Sequence, residues 1–231
     1  MDDGGCHVRV MLCGEGAQDI GRVENWSINP GPEEQSEGWL QPLIRKALGE
    51  SVFSIIPRKK LVRLPGRPAI KPTPGGHGAK SSLAKIRAIQ ECCDVLVFMV
   101  DADTTSIKDW KSIVTEVEAG FDAVDGDVHC VACVPLSTSE SWLLSDLESW
   151  TELGANTIVL PKKPEQLWGE RHDPVGNHPK NVFARTCKEA NLDDCVETRS
   201  LLMTYADPAQ ISKKCGNSFP PFWERVCSVN T

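Results

Sequence analysis

Two aspartates one residue apart, Asp101 and Asp103, follow directly on six consecutive apolar residues, Val95 to Val100 (V-L-V-F-M-V). In an extended chain residues i and i+2 point the same way, so this spacing lets both carboxylates converge on one point, where they can hold a cation. The competing assignment is structural: Asp103-Thr104-Thr105-Ser106 also has the residue types that cap a following helix. Glu15 and Asp19 are four apart behind the apolar run that ends at Cys13, a separation that puts two carboxylates on one helical face. A solvated acidic loop is the alternative for that pair. Glu140 lies just beyond a third apolar run, Val128 to Leu136, although Ser137-x-x-Glu140 is equally a capping box. Four carboxylates, with Glu140 as a possible fifth, suit a hard divalent cation, Mg²⁺ or Mn²⁺, which prefers oxygen ligands. Such an ion can activate water, orient a phosphodiester and stabilise a leaving oxygen. Lys180 or Lys80 would then neutralise charge developing on the phosphate, while an ordinary surface role is the alternative for Lys180.

These residues need elements to position them. The runs His7–Cys13, Val52–Ile56, Val95–Val100 and Val128–Leu136 have strand character, and between them Trp39–Leu48, Ala79–Cys92 and Ile107–Phe121 carry apolar residues at helical spacing, the last ending at Gly120. Alternating strand and helix predicts an α/β fold with a mostly parallel sheet flanked by helices, and such sheets bind ligands beyond the carboxyl ends of their strands. Glu15, Asp101 and Asp103 all fall at such ends. Residues 1–150 are expected to form this core, with a basic insertion at about 57–80, and residues 151–231 a C-terminal helical and irregular extension packed on it. Helices are expected there at Pro179–Ala190, Pro208–Lys214 and Pro221–Val226.

Charge is segregated along the chain. Arg58 to Arg87 contains nine basic residues (Arg58, Lys59, Lys60, Arg63, Arg67, Lys71, Lys80, Lys85, Arg87) and no acidic one; since the whole chain carries −7, the remainder carries −16. An acidic protein of this balance is not a general polyanion binder, yet a basic arm beside an acidic metal site is what a nucleic-acid substrate, DNA or RNA, would need. A solvated loop is the bland alternative. Gly75-Gly-His-Gly-Ala-Lys80-Ser lacks the spaced glycines of a phosphate-binding P-loop and does not follow a buried strand, so His77 and Lys80 remain only as phosphate contacts at a helix start. The ten cysteines include an adjacent pair and several inside apolar patterns, which fits reduced thiols; Cys130-x-x-Cys133 has the spacing of half a zinc site but no second half. No apolar run approaches membrane-spanning length, and a cytoplasmic protein without membrane association is expected.

Glu15-x-x-x-Asp19 after the first strand and Asp101-x-Asp103 after a later one resemble the TOPRIM domain of topoisomerases, primases and OLD-type nucleases. More narrowly, Glu140-Ser-Trp-Leu-Leu-Ser-Asp146, Leu160-Pro161 with Pro164-Glu165, and His178-Pro179-Lys180 resemble a bacterial TOPRIM-like family of unknown function, over roughly Val8 to Ala190. The resemblance implies a Rossmann-like TOPRIM-type sheet, Mg²⁺-dependent cleavage of phosphodiester bonds and a role in phage defence, often beside an ABC- or AAA-type ATPase. It also implies functional roles for Glu140 and Lys180. Two other readings stay open. An apolar strand followed by Asp101-x-Asp103-x-Thr105 is also the first motif of haloacid-dehalogenase-like phosphatases, with Asp101 as nucleophile and Asp103 as acid/base. The chain could otherwise be a non-catalytic subunit that binds an ATPase partner or nucleic acid.

Overall fold

Valine-, leucine- and isoleucine-rich runs too short for buried helices form the strands of a sheet, described here from a computed structural model over residues 7–23, 35–61 and 76–230. Strand β1 (Val8–Gly14) leads through a single helical turn, α1 (Ala17–Ile20), to a small antiparallel ladder of β2 (Arg22–Val23) and β3 (Gln35–Ser36). Helix α2 (Leu40–Leu48) and β4 (Ser51–Pro57) follow, then α3 (Gly76–Gln90), β5 (Val95–Met99), α4 (Ile107–Asp122) and β6 (His129–Cys133). The main sheet is four-stranded and wholly parallel in the order β4-β1-β5-β6, with Val10 opposite Phe53 on one side and Val95 on the other. The chain leaves β1 first toward one edge and later returns to its other side, so the β1/β5 boundary is the switch point, where open α/β sheets form a ligand crevice.

Strand alternation divides the core in two. Val10, Leu12, Val97 and Met99 face α2 and the C-terminal helices, whereas Met11, Cys13, Leu96 and Phe98 face α3 and α4. Cys130 and Cys133 fall on opposite faces and the described cysteines are all free, so that pair cannot share a zinc ion. Beyond β6 come α5 (Glu140–Leu143), α6 (Leu147–Glu152), α7 (Pro179–Glu189), α8 (Val196–Tyr205), α9 (Pro208–Lys214) and α10 (Phe219–Cys227). They share the first core rather than building their own: the Trp142 ring lies 5.8 Å from Trp39, 5.0 Å from Phe219 and 5.3 Å from Phe222.

Several boundaries differ from the expectations, each for a physical reason. Helix α4 does not stop at Gly120 but runs through it, because α3 and α4 touch there: a Cβ on Gly120 would lie 2.0 Å from Ser81 Oγ and 2.2 Å from the Gly78 carbonyl oxygen. Ser81 and Ser82 hydroxyls donate across this contact to the carbonyls of Val117 and Gly120 at 2.8 and 2.7 Å. Helix α3 begins three residues early, and α8 was not anticipated, since its apolar residues form no single stripe and Leu201 and Tyr205 remain exposed. Among the described residues no helix is long and apolar enough to cross a membrane. Arg63, Arg67 and Lys71 of the basic arm lie outside the described residues.

Candidate active site

Asp101 continues the alternation of β5 and so points to the same side as Val97 and Met99, under the C-terminal helices. Beyond β5 the chain still pairs alongside the exit of β6, with the Val100, Ala102 and Asp103 amides donating to Cys133, Pro135 and Ser137 carbonyls. The alternation then fails at Asp103, whose φ of +46° turns the chain and leaves its side chain exposed. Asp101 and Asp103 therefore do not converge as an extended chain would have them. Nor does Asp103 cap α4; Ser106 does, accepting from the Asp109 amide at 3.3 Å.

Asp19 arrives from α1, at the carboxyl end of β1. Gly38 makes this possible, since a Cβ there would lie 2.3 Å from the Asp19 carbonyl oxygen, and the close approach seats Trp39 against α1. Trp39 Nε1 donates to Asp19 Oδ1 at 2.6 Å, and Ser139 Oγ donates to the same oxygen at 3.0 Å. The Ser139 amide donates to Asp101 Oδ1 at 2.9 Å, so one residue of the β6–α5 loop ties Asp19 to Asp101. The next residue, Glu140, is 2 % exposed and forms no capping box: the Ser137 hydroxyl has no hydrogen-bond partner, and Glu140 Oε1 instead accepts from Arg199 Nη1 at 2.8 Å. Glu140 Oε2 and the Thr138 hydroxyl are also buried and form no well-shaped hydrogen bond, although the Thr138 hydroxyl helps to hold Glu140 below its ordinary value.

The electrostatics couple these carboxylates. Burial pushes the Asp101 carboxyl well above the usual carboxylate range, reinforced by Asp19 and Glu140 and opposed by Lys180, whose Nζ lies 3.5 Å from Asp101 Oδ2. Burial also raises Asp19; hydrogen bonds from Trp39 and Ser139 oppose it, and Glu140 adds to it. For Glu140 burial is outweighed by Arg199 and Lys180, which hold it below its ordinary value. Arg199, on α8, is the residue that sequence reasoning missed. Its Nε donates to Asp194 Oδ1 at 2.8 Å and its guanidinium lies 4.5 Å from the centre of the Phe183 ring. Burial works against its charge, but the two carboxylates more than compensate and raise its pKa. His178 caps α7, with Nδ1 accepting from the Lys180 amide at 3.2 Å, and burial holds its pKa below that of free histidine.

Other expected residues lie elsewhere. Glu15 is half exposed and pairs with Arg58, which also meets His77 Nδ1 at 3.1 Å, so Glu15 and Asp19 do not present one face. The start of α3 is filled by protein: Glu116 Oε1 accepts from the amides of His77 at 2.8 Å and Gly78 at 3.4 Å. Lys80 Nζ donates to the Leu61 carbonyl at 2.7 Å, while Lys59 and Lys60 stand on an exposed 3-10 turn, Arg58–Lys60. Glu165 is buried at the start of α10, accepting from the amides of Asn217 and Ser218, and Asp146 caps α6, which gives these two motif residues structural work.

The chain matches no family model, no curated protein and no solved structure.

Among the described residues no group of three or more His, Cys, Asp or Glu side chains stands arranged to hold a metal ion. The donor chemistry of Asp19, Asp101 and Glu140 nonetheless fits a hard cation: all are oxygen donors, and two are raised by burial and like charge.

Proposed function

We propose that this chain is a TOPRIM-like, Mg²⁺-dependent nuclease acting at Asp19, Asp101 and Glu140, with Lys180 beside them. The observation that carries this reading is the gathering of Asp19, Asp101 and Glu140, the first two partly buried and the third buried, from beyond the ends of β1, β5 and β6 at the switch point of a parallel sheet, with a lysine 3.5 Å from Asp101. Asp101, Asp19 and Glu140 would hold Mg²⁺ or Mn²⁺, which when bound supplies an activated water and a Lewis acid for the phosphoryl oxygens. Ser139 fixes Asp101 through its amide and Asp19 through its hydroxyl. Trp39 donates to the same Asp19 oxygen as Ser139, so the orientation of that carboxylate is fixed in advance. Lys180 would neutralise charge on the phosphate once released from Asp101, and His178 holds the turn from which Lys180 rises. Glu15 and Asp103 have no part in this arrangement.

The test is cleavage of single-stranded DNA, duplex DNA, RNA and tRNA in Mg²⁺, Mn²⁺ or EDTA, with p-nitrophenyl phosphate as a monoester control. Wild type is expected to cut at least one nucleic acid with metal and none in EDTA. Asp101→Asn and Lys180→Ala should each lose about 100-fold or more. A wild type that cuts none of them with either metal refutes the proposal, and turnover of the monoester alone would favour the phosphatase chemistry of Asp101.

A further inference from the structure

Trp168 is the exception among the described tryptophans. Trp39, Trp110, Trp142 and Trp150 are each at least nine-tenths buried and donate their indole N–H to Asp19, the Val134 carbonyl, Ser218 and the Leu143 carbonyl. Trp223 stacks on Phe219 at 5.9 Å. Trp168 is 53 % exposed, and among the described residues its ring has neither an aromatic neighbour nor a hydrogen bond. Its neighbour Leu167 packs on the core, so the chain is anchored and the indole turned outward.

The loop that carries it is held in one shape. Asn181 Nδ2, on α7, donates to the carbonyls of Glu170, Arg171 and Asp173 at 3.1, 3.2 and 2.6 Å, and Arg185 Nη1 donates to those of Pro174 and Gly176 at 2.7 and 2.8 Å. With its backbone acceptors turned to α7, the loop leaves Arg171 and His172 exposed. Gly169 lies on the backbone of the α7 entry, where a Cβ would sit 3.0 Å from the His178 nitrogen. Trp168 is thus one residue from the contact with His178, whose ring holds the amide of Lys180, the lysine at Asp101. Exposed Lys162, Lys163 and Arg171 outnumber exposed Glu170 and Asp173 in the same stretch by one charge. An exposed indole on an anchored backbone, with cations in the same stretch, is the combination that binds unpaired nucleic acid, since every base has a face to stack and every nucleotide a phosphate. A duplex offers no free base face, and its bases stay within the stack.

We infer that Trp168 is a stacking platform for an unpaired base, and that the substrate of the site is single-stranded nucleic acid. This rests on the nuclease reading for the identity of the site, but binding tests it separately. The experiment is fluorescence anisotropy in EDTA, with labelled oligonucleotides of about 12 nucleotides, single-stranded DNA and RNA against a hairpin duplex, for wild type, Trp168→Ala and Trp168→Phe. Wild type should prefer the single strands. Trp168→Ala should weaken them by roughly 5- to 100-fold without changing duplex binding, and Trp168→Phe should recover most of the loss. Equal single-strand affinity in wild type and Trp168→Ala, a parallel loss on the duplex, or no binding of single strands by wild type overturns the inference. Metal-dependent cutting of duplex by Trp168→Ala at the wild-type rate would keep the nuclease and end the platform. Trp168-dependent binding without cleavage in Mg²⁺ or Mn²⁺ would do the reverse.

Discussion

Replacing Arg199 by methionine tests the electrostatic frame of the site most directly. The Arg199 and Glu140 side chains are each 3 % exposed, with 2.8 Å between Nη1 and Oε1. Methionine keeps most of the apolar stem against Phe183 but leaves Glu140 buried without its paired guanidinium. Breaking a buried pair from one side costs about 3–5 kcal/mol, because the remaining charge is uncompensated. In a chain of this size 1 kcal/mol moves the melting temperature by about 2–4 °C, so Arg199→Met should melt about 6–20 °C below wild type. Glu140→Gln should cost less, since Arg199 keeps Asp194 at 2.8 Å, and adding it to Arg199→Met should restore part of the stability. The acid limb gives a second readout. Glu140 is held below its ordinary value, so its contribution is present above the unfolded pKa and is lost as pH falls through the depressed folded one. Arg199→Met should remove that dependence. Urea unfolding followed by tryptophan fluorescence across pH measures both effects. A loss below about 1 kcal/mol for Arg199→Met, or a double variant no more stable than the single, would refute the assignment of Arg199 as the counter-charge that makes Glu140 tolerable.

Asp101 carries the opposite sign: its folded pKa is raised, so its contribution favours the native state fully below the unfolded value and is lost as pH rises through the folded one. At pH 7–8 in EDTA, Asp101→Asn should therefore melt above wild type, and Mg²⁺ should raise the melting temperature of wild type but not of the variant; a variant less stable than wild type by more than about 1 kcal/mol would contradict this. Gly120→Ala should cost about 1–3 kcal/mol in urea unfolding, because its methyl would enter the Ser81 and Gly78 contact that seats α4 on α3.

The parts of the fold that run on strict periods were legible. Strands β1, β4, β5 and β6 and the stripe of α2 follow from apolar spacing alone, and parity along β5 already assigns Asp101 to one face of the sheet. Parity is also what failed at Asp103, because a single positive φ ends the alternation and pattern reasoning assumes that the extension continues. The Glu15–Asp19 expectation needed a helix entered near Gly16 with both residues on one face; the turn that forms starts after Glu15, and Arg58 is the partner that Glu15 meets. Arg199 was invisible for a different reason. Its helix is buried along a face with Thr198, Leu202 and Met203 while Leu201 and Tyr205 stay exposed, so no apolar stripe announces it, and a buried arginine has no local signature apart from a partner 59 residues away.

The chain divides the charges of the site between its two halves. The sheet edge supplies Asp19, Asp101 and Glu140, and the C-terminal helices supply Lys180 from α7 and Arg199 from α8. Arg199 is shared with Asp194 and Lys180 is partly exposed at 32 %, and the raised values of Asp19 and Asp101 come first from burial, with the neighbouring carboxylates adding to it. An ion-pair network selected for stability alone would close its balance, because an unpaired buried charge is among the costliest features a fold can carry. Here three carboxylates gather beyond the carboxyl ends of β1, β5 and β6 against two cations, one of which is shared with Asp194. A proton can relieve that excess, and so can a divalent cation. For the proposed metal site, competition between them would be the property that separates it from a structural salt bridge, and it would require the C-terminal helices as much as the sheet.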